Sequence, residues 1–167
     1  MNRFPPYTAA DSLAAVADRA RGATPEDPLR VLMSACLIGH ETGWEGGAYT
    51  AALLVRLAAL PNVQAIPCCP EDLFLGTPRL LTTCHGGDGF DVVDGFATVR
   101  DSDGNDVTEP LLRGARAMVA LAETRGAEIA ILQDVSDSCG SNVIYRGAQA
   151  DRIYQPGPGV AAALLRR

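Results

Sequence analysis

Three short apolar runs set the rhythm of the chain: Leu29 to Cys36, Val63 to Pro67, and Ala127 to Leu132. Each is rich in branched aliphatic residues and breaks off abruptly into polar ones, the pattern of a strand buried on both faces. The third run, the one with the most abrupt change, is expected to be the central strand. Between the first two, Leu53, Leu57 and Leu60 recur at helical spacing, and Pro61-Asn62 punctuates the end, which predicts a helix from about Ala48 to Leu60 and hence a βαβ unit. The clearest helix starts at Asp106 or Thr108, carries Pro110 in its first turn and ends at Gly126, with Leu111, Leu112, Ala115, Val119 and Ala122 facing inward.

The remaining elements are weaker. Thr8-Ala9-Ala10-Asp11 caps an expected helix from Ser12 to about Ala20, with Leu13, Val16 and Ala17 on one face, ended by Gly22 and Pro25. Cys84 to Gly89 reads as a flexible loop, and Asp91 to Arg100 as two β-like stretches around an Asp94-Gly95 hairpin turn. Val160 to Leu165 reads as a closing helix. The expected architecture is a single α/β domain over residues 29–167, with a mostly parallel sheet and a β-hairpin excursion. Residues 1–28 form an N-terminal helical extension.

Polar chemistry begins where each run ends. Cys36 closes the first, Cys68-Cys69 follows the second, and Asp134 to Asn142, with Ser136, Ser138 and Cys139, follows the third. If the three runs are parallel neighbours, their carboxyl ends share one crevice, the place where open α/β sheets bind ligands. The first loop, Leu37 to Gly47, also contains His40 and the pair Gly46-Gly47, which lets backbone approach a ligand closely. It lacks both a dinucleotide fingerprint and a phosphate-loop ending.

Composition narrows the chemistry. A chain of 167 residues has room for one real core without staples. The net charge is -6, and the basic residues are all Arg and scattered, which argues against nucleic acid as a partner. No apolar stretch is long enough to span a membrane and no leader pattern opens the chain, so a cytoplasmic location is expected. Five cysteines is an odd count that fits a disulfide framework poorly. In a reducing compartment, thiols gathered at strand ends suggest metal binding or catalysis, against the alternative that each is a small buried hydrophobe. Three thiols fall short of a structural zinc site, and adjacent Cys68 and Cys69 are poorly spaced for one ion. A 4Fe-4S cluster normally takes one thiolate per iron, so three would leave one iron open.

Several segments carry a resemblance: Ser34 to Gly39, Cys69-Pro70-Glu71, Gly76-Thr77-Pro78-Arg79, Asp91 to Thr108, Leu112 to Ala115, and Ser136 to Ser141. Together they resemble the DUF523 family, which includes the 2-thiouracil desulfidases. The resemblance runs in order from Arg30 to Arg167. It implies a Rossmann-like three-layer α/β/α domain with a 4Fe-4S cluster held by Cys36, Cys69 and Cys139, the second ligand being the thiol followed by Pro-Glu. It places the catalytic carboxylate on Glu71 and the catalytic serine on Ser136 rather than Ser138. Beside what the resemblance implies, Ser34, Ser138, Gly46 and Gly47 are candidate substrate contacts. The implied activity is hydrolytic removal of sulfur, as sulfide, from a small thiolated heterocycle, without net redox change. By this analogy the sulfur binds the open iron, Glu71 assists the attacking water, and Ser136 protonates or orients the ring.

Alternatives stand beside these readings. Glu71 also reads as a carboxylate at a helix N-terminus, and Ser136 and Ser138 as caps. The chain departs from the family pattern at Thr42 to Gly47 and at Asp137, where proline is usual. Two other functions compete: a non-catalytic metal- or sulfide-binding domain, and a hydrolase using zinc or a Cys139 nucleophile activated by His40 or His85.

Overall fold

The computed structural model describes residues 11–147 and 153–167. In chain order the elements are α1 (Asp11–Gly22), β1 (Leu29–Ser34), a 3-10 turn (Ala35–Ile38), α2 (Ala52–Ala58), β2 (Val63–Cys68), α3 (Asp72–Leu75), β3 (Thr82–His85), α4 (Gly89–Val93), β4 (Thr98–Asp101), α5 (Thr108–Thr124), β5 (Ile129–Ile131), β6 (Val143–Tyr145), β7 (Tyr154–Pro156) and α6 (Val160–Leu165). The chain is a mixed α/β protein. A three-stranded parallel sheet in the order β2-β1-β5 is accompanied by two small antiparallel pairs, β3-β4 and β6-β7.

Strand alternation divides the core. Val31 and Met33 of β1 face one side, packed with Leu57 and Ala58 of α2 and with Ala20 of α1. Leu32 faces the other, packed with Leu111, Ala115 and Met118 of α5 and Val160 of α6. Burial of each of the larger side chains contributes about 1.5–3 kcal/mol. Helices therefore cover both faces of the sheet, which is why β1 is apolar at successive rather than alternate positions. On the outer edge, Glu128 accepts from Arg19 Nε at 2.6 Å and from the Arg30 N–H at 3.1 Å, tying α1 to the sheet.

Five expectations are corrected. The middle strand is β1, with β5 at the described edge, where Ile129 to Ile131 are only partly buried. The first strand stops at Ser34, so Cys36 lies on the 3-10 turn that Gly39 ends with φ 99°. α2 is shorter than expected and Leu53 is 74% exposed, so the Leu53, Leu57 and Leu60 spacing does not mark a core face. The hairpin at Asp94-Gly95 does not exist. Asp88 Oδ1 accepts from the N–H groups of Phe90 and Asp91, and Asp91 Oδ2 accepts from the Asp88 N–H, a capping box that starts α4 instead. The antiparallel partner of β4 is β3, so Cys84 and His85 lie on a strand rather than in a loop. Residue Thr8, the expected first cap, lies outside the described residues.

The expected α5 and α6 are found within a residue or two of their ends, although Val119 is only partly buried. Gly114 on α5 meets the turn that follows β2. A Cβ there would stand 1.8 Å from the Pro70 carbonyl oxygen, so only glycine permits this approach.

Candidate active site

The turn after β1, the segment after β2 and the loop after β5 meet at the carboxyl ends of the three parallel strands. Between them lies a cavity of about 420 Å³ lined by Cys36, Cys69, Cys139, Glu71 and Ser136, with Asp137, Arg79, Trp44, Tyr49, Gln133 and Tyr145 among its other walls. Three thiols distant in sequence thus share one enclosure. All five cysteines are free.

The choice between Cys68 and Cys69 follows from the backbone. Cys68 is the last residue of β2, paired in register with Ser34, and its side chain is buried in the core under α5. Its neighbour necessarily turns the other way, into the cavity. Cys84 is likewise buried in the core and does not line the site.

Burial dominates the thiols. It pushes Cys36 up to about 11, helped by the nearby Cys69 and Glu71. Cys139 is raised by burial and by Cys69, Glu71 and Cys36, with a hydrogen bond from Ser34 opposing. Cys69 is raised by burial, with the Asp72 N–H and Arg79 pulling the other way. Before a metal is present these groups are thiols, and loading one must displace their protons.

Glu71 precedes α3, yet its side chain makes no capping bond. Instead its Oε2 accepts from Arg79 Nε at 2.8 Å, with both side chains largely buried, at 15% and 7% exposure. Arg79 also reaches the Thr42 carbonyl at 3.0 Å and Cys69 Sγ at 3.8 Å. Ser136 does cap, as one reading expected: its Oγ accepts from the N–H groups of Cys139 at 3.0 Å and Ser138 at 3.3 Å. A hydroxyl has two lone pairs and one proton, so Ser136 keeps only its donor for the cavity. Asp137 is 2% exposed, and its Oδ1 accepts from the Cys84 N–H at 3.0 Å. Burial pushes this carboxyl up to about 7 against that bond.

Four expected contacts are not on the cavity wall. Ser34 stands behind it, accepting from the Gln133 N–H at 2.9 Å. Ser138 is fully buried. Gly46, with φ 91°, donates to the Gly43 carbonyl, and the Gly47 carbonyl accepts from the Gly43 N–H, so the pair shapes the loop whose Gly43 and Trp44 do line the site. His40 and His85 are exposed and line no part of it, so neither stands beside Cys139. Among the described residues, no group of three His, Cys, Asp or Glu is arranged to hold a single metal ion. The sequence reading did not single out Arg79, Tyr49, Gln133 or Tyr145. Arg79 alone carried a signal, as the one charged residue of the Gly76-Thr77-Pro78-Arg79 turn.

A family profile described as 2-thiouracil desulfurase matches residues 31–167. The chain belongs to the 2-thiouracil desulfurase family. Two relatives place it further. It is 36% identical over 138 residues to the uncharacterized protein YbbK of Bacillus subtilis (strain 168), covering 82% of this chain and 89% of that protein. Among solved structures, it matches the 4Fe-4S-dependent thiouracil desulfidase TudS with a TM-score of 0.67 and 32% identity, over 83% of this chain and 85% of the other. In this member of the desulfurase family the matched region contains every cavity residue named above. Among the described residues, no helix is long and apolar enough to cross a membrane.

Proposed function

We propose that the chain is an iron-sulfur-dependent desulfidase that hydrolytically removes sulfur from a thiolated heterocycle such as 2-thiouracil and releases sulfide. The observation that carries this reading is the convergence of Cys36, Cys69 and Cys139 on one cavity that also holds Glu71 and Ser136.

The donor set suits a cluster. Buried thiols are soft donors, and a cluster takes its thiolates at separate irons, so they need not close around one point. Thr42, another wall residue, has a buried Oγ1 with no hydrogen-bond partner, a polar atom left for an occupant. Cys36, Cys69 and Cys139 would hold the cluster, leaving one iron open. When bound, it supplies a Lewis acid that polarises a thiocarbonyl and accepts its sulfur.

The chain's own residues do the rest. Glu71, fixed by Arg79 through Oε2, retains acceptor capacity for a water, orients it toward the thiocarbonyl carbon and takes its proton. Ser136 donates to a ring nitrogen or oxygen. Trp44, Tyr49 and Tyr145 give the cavity aromatic surface against a flat ring. The balance is one water consumed, the C=S bond replaced by C=O, and sulfide released. Helices on both faces of the parallel sheet support reading residues 29–167 as a Rossmann-like domain, to which residues 1–28 would be an N-terminal extension whose Ala20 and Ala23 pack on the sheet.

The test is anaerobic reconstitution with iron and sulfide, followed by incubation with thiolated pyrimidines and purines and assay of released sulfide. Brown protein that releases sulfide is expected. Cys139→Ala should lose colour and release together, and Glu71→Gln should keep colour and release sulfide much more slowly, at a residual rate that is still measurable. Colourless wild-type protein overturns the proposal. Full activity in Glu71→Gln removes the assigned carboxylate, and iron without any sulfide release favours a metal- or sulfide-binding role.

A further inference from the structure

We propose that Arg79 is a positioning residue that fixes the Glu71 carboxylate beside Cys69 and joins both to the loop forming the cavity wall. This rests on the desulfidase reading and adds a residue to it. A guanidinium has five N–H donors in one rigid plane, and here all five are engaged. Nε donates to Glu71 Oε2 at 2.8 Å. Nη1 donates to the Gly76 carbonyl at 3.1 Å and Thr77 Oγ1 at 3.0 Å, while Nη2 reaches the Thr42 carbonyl at 3.0 Å and Cys69 Sγ at 3.8 Å.

A fully engaged fork has no donor left for substrate, so Arg79 acts through its neighbours. Three segments end on it: the loop after β1, the Cys69 to Glu71 turn, and the turn before β3. The Arg79 N–H adds a fourth tie, to the Trp44 carbonyl at 2.8 Å. The side chain is 7% exposed, so little water competes for these bonds. Charge alone does not replace it, because an ammonium is a compact point charge with three donors and no plane.

Arg79→Lys, Glu71→Gln and the double variant separate positioning from mere structural support. Arg79→Lys should load the same iron and sulfide per chain as wild type, with kcat lowered about 100-fold, the scale of a reacting group displaced by about 1 Å, and KM unchanged. Because Arg79 acts through Glu71, adding Arg79→Lys to Glu71→Gln should lower kcat no further. Urea unfolding of the full chain before reconstitution gives a readout independent of activity: the two single changes should be non-additive in the double variant. Arg79→Met repeats the series without the charge.

Wild-type kcat in Arg79→Lys, kcat losses that multiply in the double variant, or an effect confined to KM would overturn the inference while leaving the desulfidase reading intact. Additive unfolding effects would overturn it too, whatever the activity. Fully loaded wild type that releases no sulfide from any thiocarbonyl overturns the desulfidase reading and the positioning role with it.

Discussion

Asp137 offers the sharpest physical test of the site. Its carboxyl is 2% exposed, bonded through Oδ1 to the Cys84 N–H, and pushed up by burial from 3.8 to about 7. Each tenfold change in proton affinity is worth about 1.4 kcal/mol, so the full displacement corresponds to about 4 kcal/mol. The sign follows from linkage. Well below pH 4, folded and unfolded states both carry the proton and the carboxyl costs nothing. As pH rises from 4 to 7 the unfolded chain releases its proton while the folded chain keeps it, so stability falls; above 7 both are ionised and the loss is constant. Asp137→Asn keeps an acceptor for Cys84 and cannot ionise. Urea unfolding of both proteins before reconstitution, from pH 4 to 8, should show the variant gaining about 4 kcal/mol on wild type by pH 7, with no further gain above it. Parallel curves, or a gain that appears only above pH 8, would refute the argument that burial holds this carboxyl neutral.

Other outcomes follow from the same geometry. Cys68→Ala and Cys84→Ala should retain iron after reconstitution, because both side chains are in the core and off the cavity wall, whereas Cys36→Ala and Cys69→Ala should lose it; iron and acid-labile sulfide per chain decide. Gly114→Ala should cost about 1–3 kcal/mol in urea unfolding, since its methyl would meet the Pro70 carbonyl and force α5 from the turn bearing Cys69 and Glu71. Wild-type stability in that variant would refute the close approach. Ser136→Ala should slow sulfide release and also lower stability by about 1 kcal/mol, because its Oγ caps the Cys139 turn; Ser136→Asp, which can cap but brings no hydroxyl, should restore stability more than rate.

The parallel strands and the thiols at their ends were legible because a strand buried on both faces has to change character abruptly where it meets solvent or a site. Leu29 to Ser34 shows this at β1, and the same logic reached Cys36, the pair Cys68-Cys69 and Cys139, while the choice of Cys69 within the pair came from the family resemblance. What failed was order and local competition. Nothing in an apolar run states whether it is central, and Ile129 to Ile131 reads as strongly as β1 while lying only partly buried. Asp94-Gly95 carries a turn signal, but the reciprocal bonds of Asp88 and Asp91 begin a helix before any strand can form. β6 and β7 are three residues each, too short for a period to register. Arg79 escaped notice because its role comes from folding: its five partners are drawn from Thr42, Cys69, Glu71, Gly76 and Thr77, and no spacing records that they converge.

The loop carrying Cys139 is held from its far side by the last helix. The N–H groups of Gly159, Val160 and Ala161 donate to the carbonyls of Gly140, Asp137 and Ser138. These three bonds clamp the backbone on both sides of Cys139, from the side away from the cavity. The Cys139 wall of the cavity thus takes its shape from a segment that lines no part of it, so loosening residues 159–161 would reach that thiol through the backbone alone.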